Sequence, residues 1–201
     1  MVEPVARFAK RQTHRALHRS ARTFGVKREM FKYTWPAVAL HWLMALLVLV
    51  MLALGLYMAE LPKGPERSEL IALHKSIGIT LAFLLVVRLA WRASHAPPPY
   101  PATMPAWQQR AAHANATALY VFLFVQPVSG FLSSTFSGYK TSYFGLPLPY
   151  WGRDAPELNA LFHSIHVASS RVLMVLIALH LAAVALHALV RRDGVVRRMF
   201  F

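Results

Sequence analysis

Four long apolar stretches, separated by polar or proline-rich segments, dominate the pattern of this chain. They cover residues 37–59, opening after Pro36, then residues 70–91, 114–134 and 161–190. Each is near the ~20 residues that an α-helix needs to cross a hydrocarbon layer ~30 Å thick. In lipid a helix satisfies its own backbone donors and acceptors, so the pattern predicts four membrane-spanning helices. Pro127 lies within the third stretch and predicts a bend there. The fourth is the longest and is expected to begin outside the hydrocarbon. Between the second and third, the run APPPYPATMP predicts a stiff extended connector rather than a further helix. The loop 135–160 carries Gly, Pro, Tyr and Trp and is long enough to fold over one membrane face. The fold class is therefore all-α: an integral membrane four-helix bundle formed by residues 34–201.

Composition supports a membrane class, since 56% of the 201 residues are hydrophobic and the mean hydropathy is +0.40, more apolar than a soluble globule of this size. Lys and Arg nonetheless outnumber Asp and Glu by 22 to 8, a formal net charge of +14. The basic residues flank the apolar runs instead of forming a stripe between soluble elements, so they read as topological anchors and not as a nucleic-acid surface. Lys and Arg beside spans are retained on the cytoplasmic side. The amino-terminal segment, Arg88, Arg92, Arg110 and the tail with Arg191, Arg192, Arg197 and Arg198 all fall on one side of a four-span topology. Both termini are expected to be cytoplasmic. Residues 1–33 form a basic segment with no following apolar run short enough for a cleavable signal. Two readings of it stand: an amphipathic arm lying on anionic lipid, or an extension ahead of a start at Met30.

The chain has no cysteine, which removes disulfides, thiolate nucleophiles, zinc–thiolate sites, iron–sulfur clusters and thioether-attached haem. Histidine is the remaining soft ligand, with ten copies. A polar ionisable residue inside a span is costly unless it has a partner or a task. His41 lies near the inner start of the first span and His74 near the outer start of the second. The fourth span enters from outside with His166 and carries His180 fourteen residues later, roughly 21 Å along the axis and on the same helix face. Depth then dictates the pairing: His41 with His180 on the inner side, His74 with His166 on the outer. An interhelical polar contact would account for any one of these histidines. Four that pair by depth are what two b haems need, because each porphyrin takes trans imidazoles from facing helices. Two histidines per site leave a bare zinc or copper ion short of ligands. Gly78, Ala168, Ser169 and Ser170 are small residues that would let a flat macrocycle approach the backbone.

His187 continues the face of His180 to the inner boundary. It suits either a quinone carbonyl and its proton or an ordinary interfacial role. Arg88 and Arg171 can neutralise haem propionates, and Lys75 adds positive potential beside His74 or simply anchors the interface. His163 reads as a cation at the outer mouth and His113 as a headgroup-level or capping residue, while His14, His18 and His95 read as solvated.

These residues fall in runs of distinctive order: Leu40-His41-Trp42, His74-Lys75-Ser76-Ile77-Gly78, Val87-Arg88-Leu89, Ala112-His113, Pro127, Phe144-Gly145-Leu146, and the series His166, His180, His187. In them the chain, from about Lys32 to Met199, resembles the bacterial di-haem cytochrome b561 family, and within it the superoxide:ubiquinone oxidoreductase type. The resemblance implies that His41, His74, His166 and His180 are axial ligands of two b haems and that electrons pass from a periplasmic donor to ubiquinone. The basic segment before Met30, Arg171, and His163 in place of a lysine depart from that pattern and bear on the donor site.

The resulting expectation is an oxidoreductase that oxidises superoxide near Lys75, Lys140 and His163 and reduces ubiquinone near His41, Arg88 and His187. Two alternatives stand beside it. One is a quinone-reactive cytochrome b subunit that takes electrons from a docked dehydrogenase or hydrogenase. The other is a haem-free transporter or scaffold with a histidine-lined proton path.

Overall fold

The computed structural model describes residues 32–150 and 152–200. Most of the basic segment 1–33, including His14 and His18, lies outside the described residues. Four helices follow one another: α1 (Trp35–Glu60), α2 (Pro65–Ser94), α3 (Ala106–Thr135) and α4 (Pro156–Ala185). Proline occupies the first turn of α1, α2 and α4, where its missing donor costs nothing and its fixed φ suits the helix. The helices are 26, 30, 30 and 30 residues long, about 39 to 45 Å at the α-helical rise. They therefore extend beyond the hydrocarbon stretches that hydropathy marks, and all four are long and apolar enough to cross a membrane.

The packing is that of two hairpins. α1 lies against α2, α3 lies closely against α4, and α2 meets α3. Large apolar side chains such as Leu46, Phe83, Val121 and Val175 point outward from all four helices, as expected where lipid rather than water is the solvent. Few residues are fully buried, and they include Val38, Met44, Leu85 and Leu173 beside Ser76, Ser129 and Ser169. Buried hydroxyls join elements in the way polar residues join membrane helices: the Ser169 hydroxyl donates to Gln126 Oε1 at 2.6 Å.

The connector after α2 forms no helix through its prolines and turns at residues 101–104, where the Met104 N–H donates to the Pro101 carbonyl at 2.9 Å. The loop after α3 folds into a two-stranded hairpin, β1 (Ser142–Tyr143) and β2 (Leu146–Pro147). Phe144 and Gly145 make its turn with φ of 46° and 85°, a left-handed pair that suits a tight hairpin. The hairpin is fixed to α2 near His74: the Phe144 N–H donates to Ser76 Oγ at 3.0 Å, and Tyr143 and Thr80 hydroxyls lie 3.2 Å apart.

At the other end of the bundle, α4 passes into a π-helical turn (Leu186–Arg191) and then a 3₁₀ turn (Val196–Met199). The tail returns over the start of α1. Trp42 Nε1 donates to the Met199 carbonyl at 2.7 Å, Trp42 packs on Phe200, and the Tyr33 N–H donates to the Arg198 carbonyl. The two ends of the described chain therefore meet at one end of the bundle.

Candidate functional site

The four span histidines come together in the pairs that depth dictates. The rings of His41 on α1 and His180 on α4 have centroids 6.2 Å apart with planes at 65°. Those of His74 on α2 and His166 on α4 are also 6.2 Å apart, at 76°. Neither α1 with α4 nor α2 with α4 is a closely packed helix pair, so each pair of rings reaches across an inter-helix gap. Two imidazoles bound trans to one metal, with metal–nitrogen bonds of about 2.0 Å and each nitrogen about 1.1 Å from its ring centre, would place their centroids about 6 Å apart.

Hydrogen bonding separates ring orientation from ring function. His166 Nδ1 donates to the Gln126 carbonyl at 2.9 Å, which fixes the tautomer with Nε2 free to ligate. Arg88 Nη2 lies 3.4 Å from His41 Nδ1. The same guanidinium donates to the Tyr120 hydroxyl at 3.0 Å and to the Ala37 carbonyl at 3.1 Å, so Arg88 braces His41 against α3. His74 keeps a buried Nδ1 without a hydrogen-bond partner among the described residues. An unpartnered imidazole is a poor structural contact, because a buried polar atom left unmade costs free energy. Among the described residues no three histidine or acidic side chains cluster as a metal cage, so any metal held here needs most of its ligands from a larger group.

Glycines shape the second pair. A Cβ at Gly130 on α3 would stand 3.0 Å from Nδ1 and Cε1 of His166, and one at Gly55 on α1 would stand 3.5 Å from Cε1 of His74. Both are therefore part of the ring cradle. Gly78, singled out by sequence, instead faces Met51.

The other candidates distribute as follows. Lys75 is half-buried on α2 beside His74, and Arg171 is exposed on α4; neither makes a hydrogen bond or ion pair among the described residues. His187 is 9% exposed, and its Nδ1 is 2.5 Å from Asp193 Oδ2. His163 and His113 are exposed, while His95 stacks on Trp91 with centroids 3.9 Å apart. Sequence reasoning missed Gly55, Gly130, Gln126, Tyr120 and Asp193. Their common signal is position: each stands where a neighbouring helix or turn brings a histidine or Arg88.

Asp193 closes the π-helical turn. Its Oδ1 also accepts the Val195 N–H at 3.1 Å. Burial pushes the carboxyl up, but the bonds from His187 and Val195 outweigh it and hold Asp193 below the ordinary carboxylate value. A depressed carboxylate contributes stability above its unfolded value and loses it as pH falls through the folded one. Asp193→Ala, or acidification below the ordinary carboxylate range, is accordingly expected to release the tail. Limited trypsin digestion checks this by faster cleavage after Arg197 and Arg198.

The family model of the prokaryotic cytochrome b561 matches residues 32–201. The chain belongs to the prokaryotic cytochrome b561 family. It is 36% identical over 177 residues to "Cytochrome b561 homolog 2" of Escherichia coli (strain K12), covering 84% of this chain and 90% of the relative. To the "Probable superoxide oxidase CybB" of Yersinia pestis it is 23% identical over 168 residues, covering 84% of this chain and 95% of the relative. As a cytochrome b561 the chain is a multi-pass membrane oxidoreductase that transfers electrons by haem b. The paired imidazoles, the gaps they bridge and the glycine cradle fit such a group.

Proposed function

We propose that this cytochrome holds two b haems, one between His41 and His180 and one between His74 and His166. It passes electrons from superoxide at the hairpin end of the bundle to ubiquinone at the end where the termini meet. The observation that carries this reading is the pair of ring-to-ring separations of 6.2 Å at two levels of one bundle. When bound, haem would supply reversible one-electron chemistry, with His41, His180, His74 and His166 as the residues that would hold it.

The chain's own residues supply attraction, orientation and protons. Lys75, Lys140 and His163 lie toward the hairpin end, and these cationic side chains would give an anion such as superoxide a local attraction. The Yersinia pestis relative named as a probable superoxide oxidase supports that donor. Arg171, one and a half turns after His166, offers a guanidinium to a propionate. At the opposite end Arg88 lies 3.4 Å from His41 Nδ1, and in this reading His187, held by Asp193, gives a proton to a quinone oxygen. The reaction balances with two superoxide ions giving up one electron each to become dioxygen, while one ubiquinone takes two electrons and two protons to become the quinol. The excess of Lys and Arg at the terminal end supports a reading in which that end faces the cytoplasm, across a bacterial inner membrane.

The test uses oxidised, purified full-length protein and an enzymatic source of superoxide. Haem reduction that superoxide dismutase abolishes, followed by reoxidation with a short-chain ubiquinone, is the expected result. Haem that dithionite reduces but superoxide does not would overturn the donor, leaving the reading in which a docked dehydrogenase or hydrogenase supplies the electrons.

A further inference from the structure

A cleft outside the histidine pairs lies between the ends of α1, α2 and α3 where the termini meet. It is lined by Tyr33, Ala37, Leu40, Arg88, Arg92 and Tyr120, together with Trp91, His95 and Pro97, and its cavity volume is about 30 Å³ beneath an open mouth. Its two guanidinium groups differ. Arg88 spends donors on Tyr120 and Ala37 and lies 3.4 Å from His41 Nδ1. Arg92, one turn later on α2, lies over the Tyr120 ring at 5.6 Å and has no hydrogen bond or ion pair among the described residues. The Tyr33 hydroxyl also has no hydrogen-bond partner among the described residues.

Among the described residues, no acidic side chain lines the cleft. Among the described residues, Glu60, Glu66, Glu69, Asp154 and Glu157 belong to the opposite end of the bundle, and Asp193 is engaged by His187 and Val195. Among the described residues, two positive charges, one of them with a free planar donor set, therefore face a single cleft without an acidic side chain to pair them. A guanidinium fork matches phosphate oxygens in geometry and charge. The surroundings fix the source of that phosphate. Trp91, Tyr33 and Tyr120 are the amphipathic aromatic side chains that settle at headgroup level, and Ala37, Leu40 and Pro97 give the cleft an apolar wall. Basic pockets between spans at this level are built for acidic lipid headgroups.

We infer that the Arg88–Arg92 cleft binds the phosphate of an anionic phospholipid, with Arg92 and the Tyr33 hydroxyl as its donors and Arg88 adding charge from behind. The bound phosphodiester would sit beside the residue that braces His41, so it would offset positive charge near the inner histidine pair. Zwitterionic lipid, whose choline brings its own cation into an already positive cleft, is discriminated against.

Native mass spectrometry of the full-length holoprotein in neutral detergent tests this, with phosphatidylglycerol titrated against phosphatidylcholine of the same acyl chains. One phosphatidylglycerol per chain is expected to bind in preference to phosphatidylcholine. Arg92→Gln is expected to weaken it by about tenfold, with haem content unchanged. Arg110→Gln, an exposed arginine on α3 at the same end, is expected to leave binding as it was. Equal binding of the two lipids, or no effect of Arg92→Gln, would overturn the site. So would displacement of phosphatidylglycerol by a short-chain ubiquinone, which would make it a quinone cleft, or by millimolar inorganic phosphate, which would make it a site for the free ion.

Discussion

Replacing His74 by alanine is expected to leave a protein with one haem instead of two. His166→Ala should lose the same haem, and His41→Ala or His180→Ala the other, so that the four variants fall into two spectroscopic classes. The reasoning is geometric. Each ring has one partner across a gap between helices that do not otherwise pack closely. The two levels are separated by roughly 21 Å along α4, and sites that share no contacts behave independently. The strong α1–α2 and α3–α4 contacts do not pass through the rings, so the bundle should survive a single loss. Haem extraction against protein concentration, with reduced-minus-oxidised spectra, gives the stoichiometry. Loss of both haems from all four variants would contradict the pairing.

Gly130→Val should reproduce the loss seen with His166→Ala without touching a histidine. A Cβ there meets the His166 ring at 3.0 Å, tighter than ordinary contact, and valine adds two more methyl groups on the same side. The ring cannot simply retreat, because its Nδ1 is tied to the Gln126 carbonyl and α3 and α4 are closely packed. Overpacking of this kind costs about 1–3 kcal/mol, and here it falls on the orientation of a proposed ligand, where a small displacement suffices. Haem content should drop to about half. Gly64→Ala, where an added Cβ meets nothing within 4 Å, should keep both haems. A Gly130→Val protein with full haem content would show that His166 does not hold one in the observed orientation.

Hydropathy marked the four spans well because a lipid-facing helix is apolar on nearly every side. It marked their ends poorly. α3 begins at Ala106, and its first turns carry Gln108, Gln109 and Arg110, polar residues that suit a helix outside the hydrocarbon but lower the apolar average. α2 begins at Pro65 and α4 at Pro156 for the same reason. The histidine pairs were legible because helix rise converts spacing into depth. What depth does not convey is azimuth. Gly55 and Gly130 become part of the ring cradle only once neighbouring helices are rotated against one another, and Gly78, four residues after His74, proves to face Met51. Asp193 was hidden differently. It reaches His187 because α4 unwinds into a π-helical turn at Leu186–Arg191, and no hydrophobic period announces such a turn.

Electron paramagnetic resonance of the oxidised, purified full-length protein tests the central claim most directly, because it reads the axial ligands of each iron. The observed ring planes, at 65° and 76° to one another, call for two low-spin ferric signals of the strongly anisotropic kind that crossed imidazole planes produce. A high-spin ferric signal, which signifies an iron lacking one of its imidazoles, or the absence of any haem signal, would contradict it.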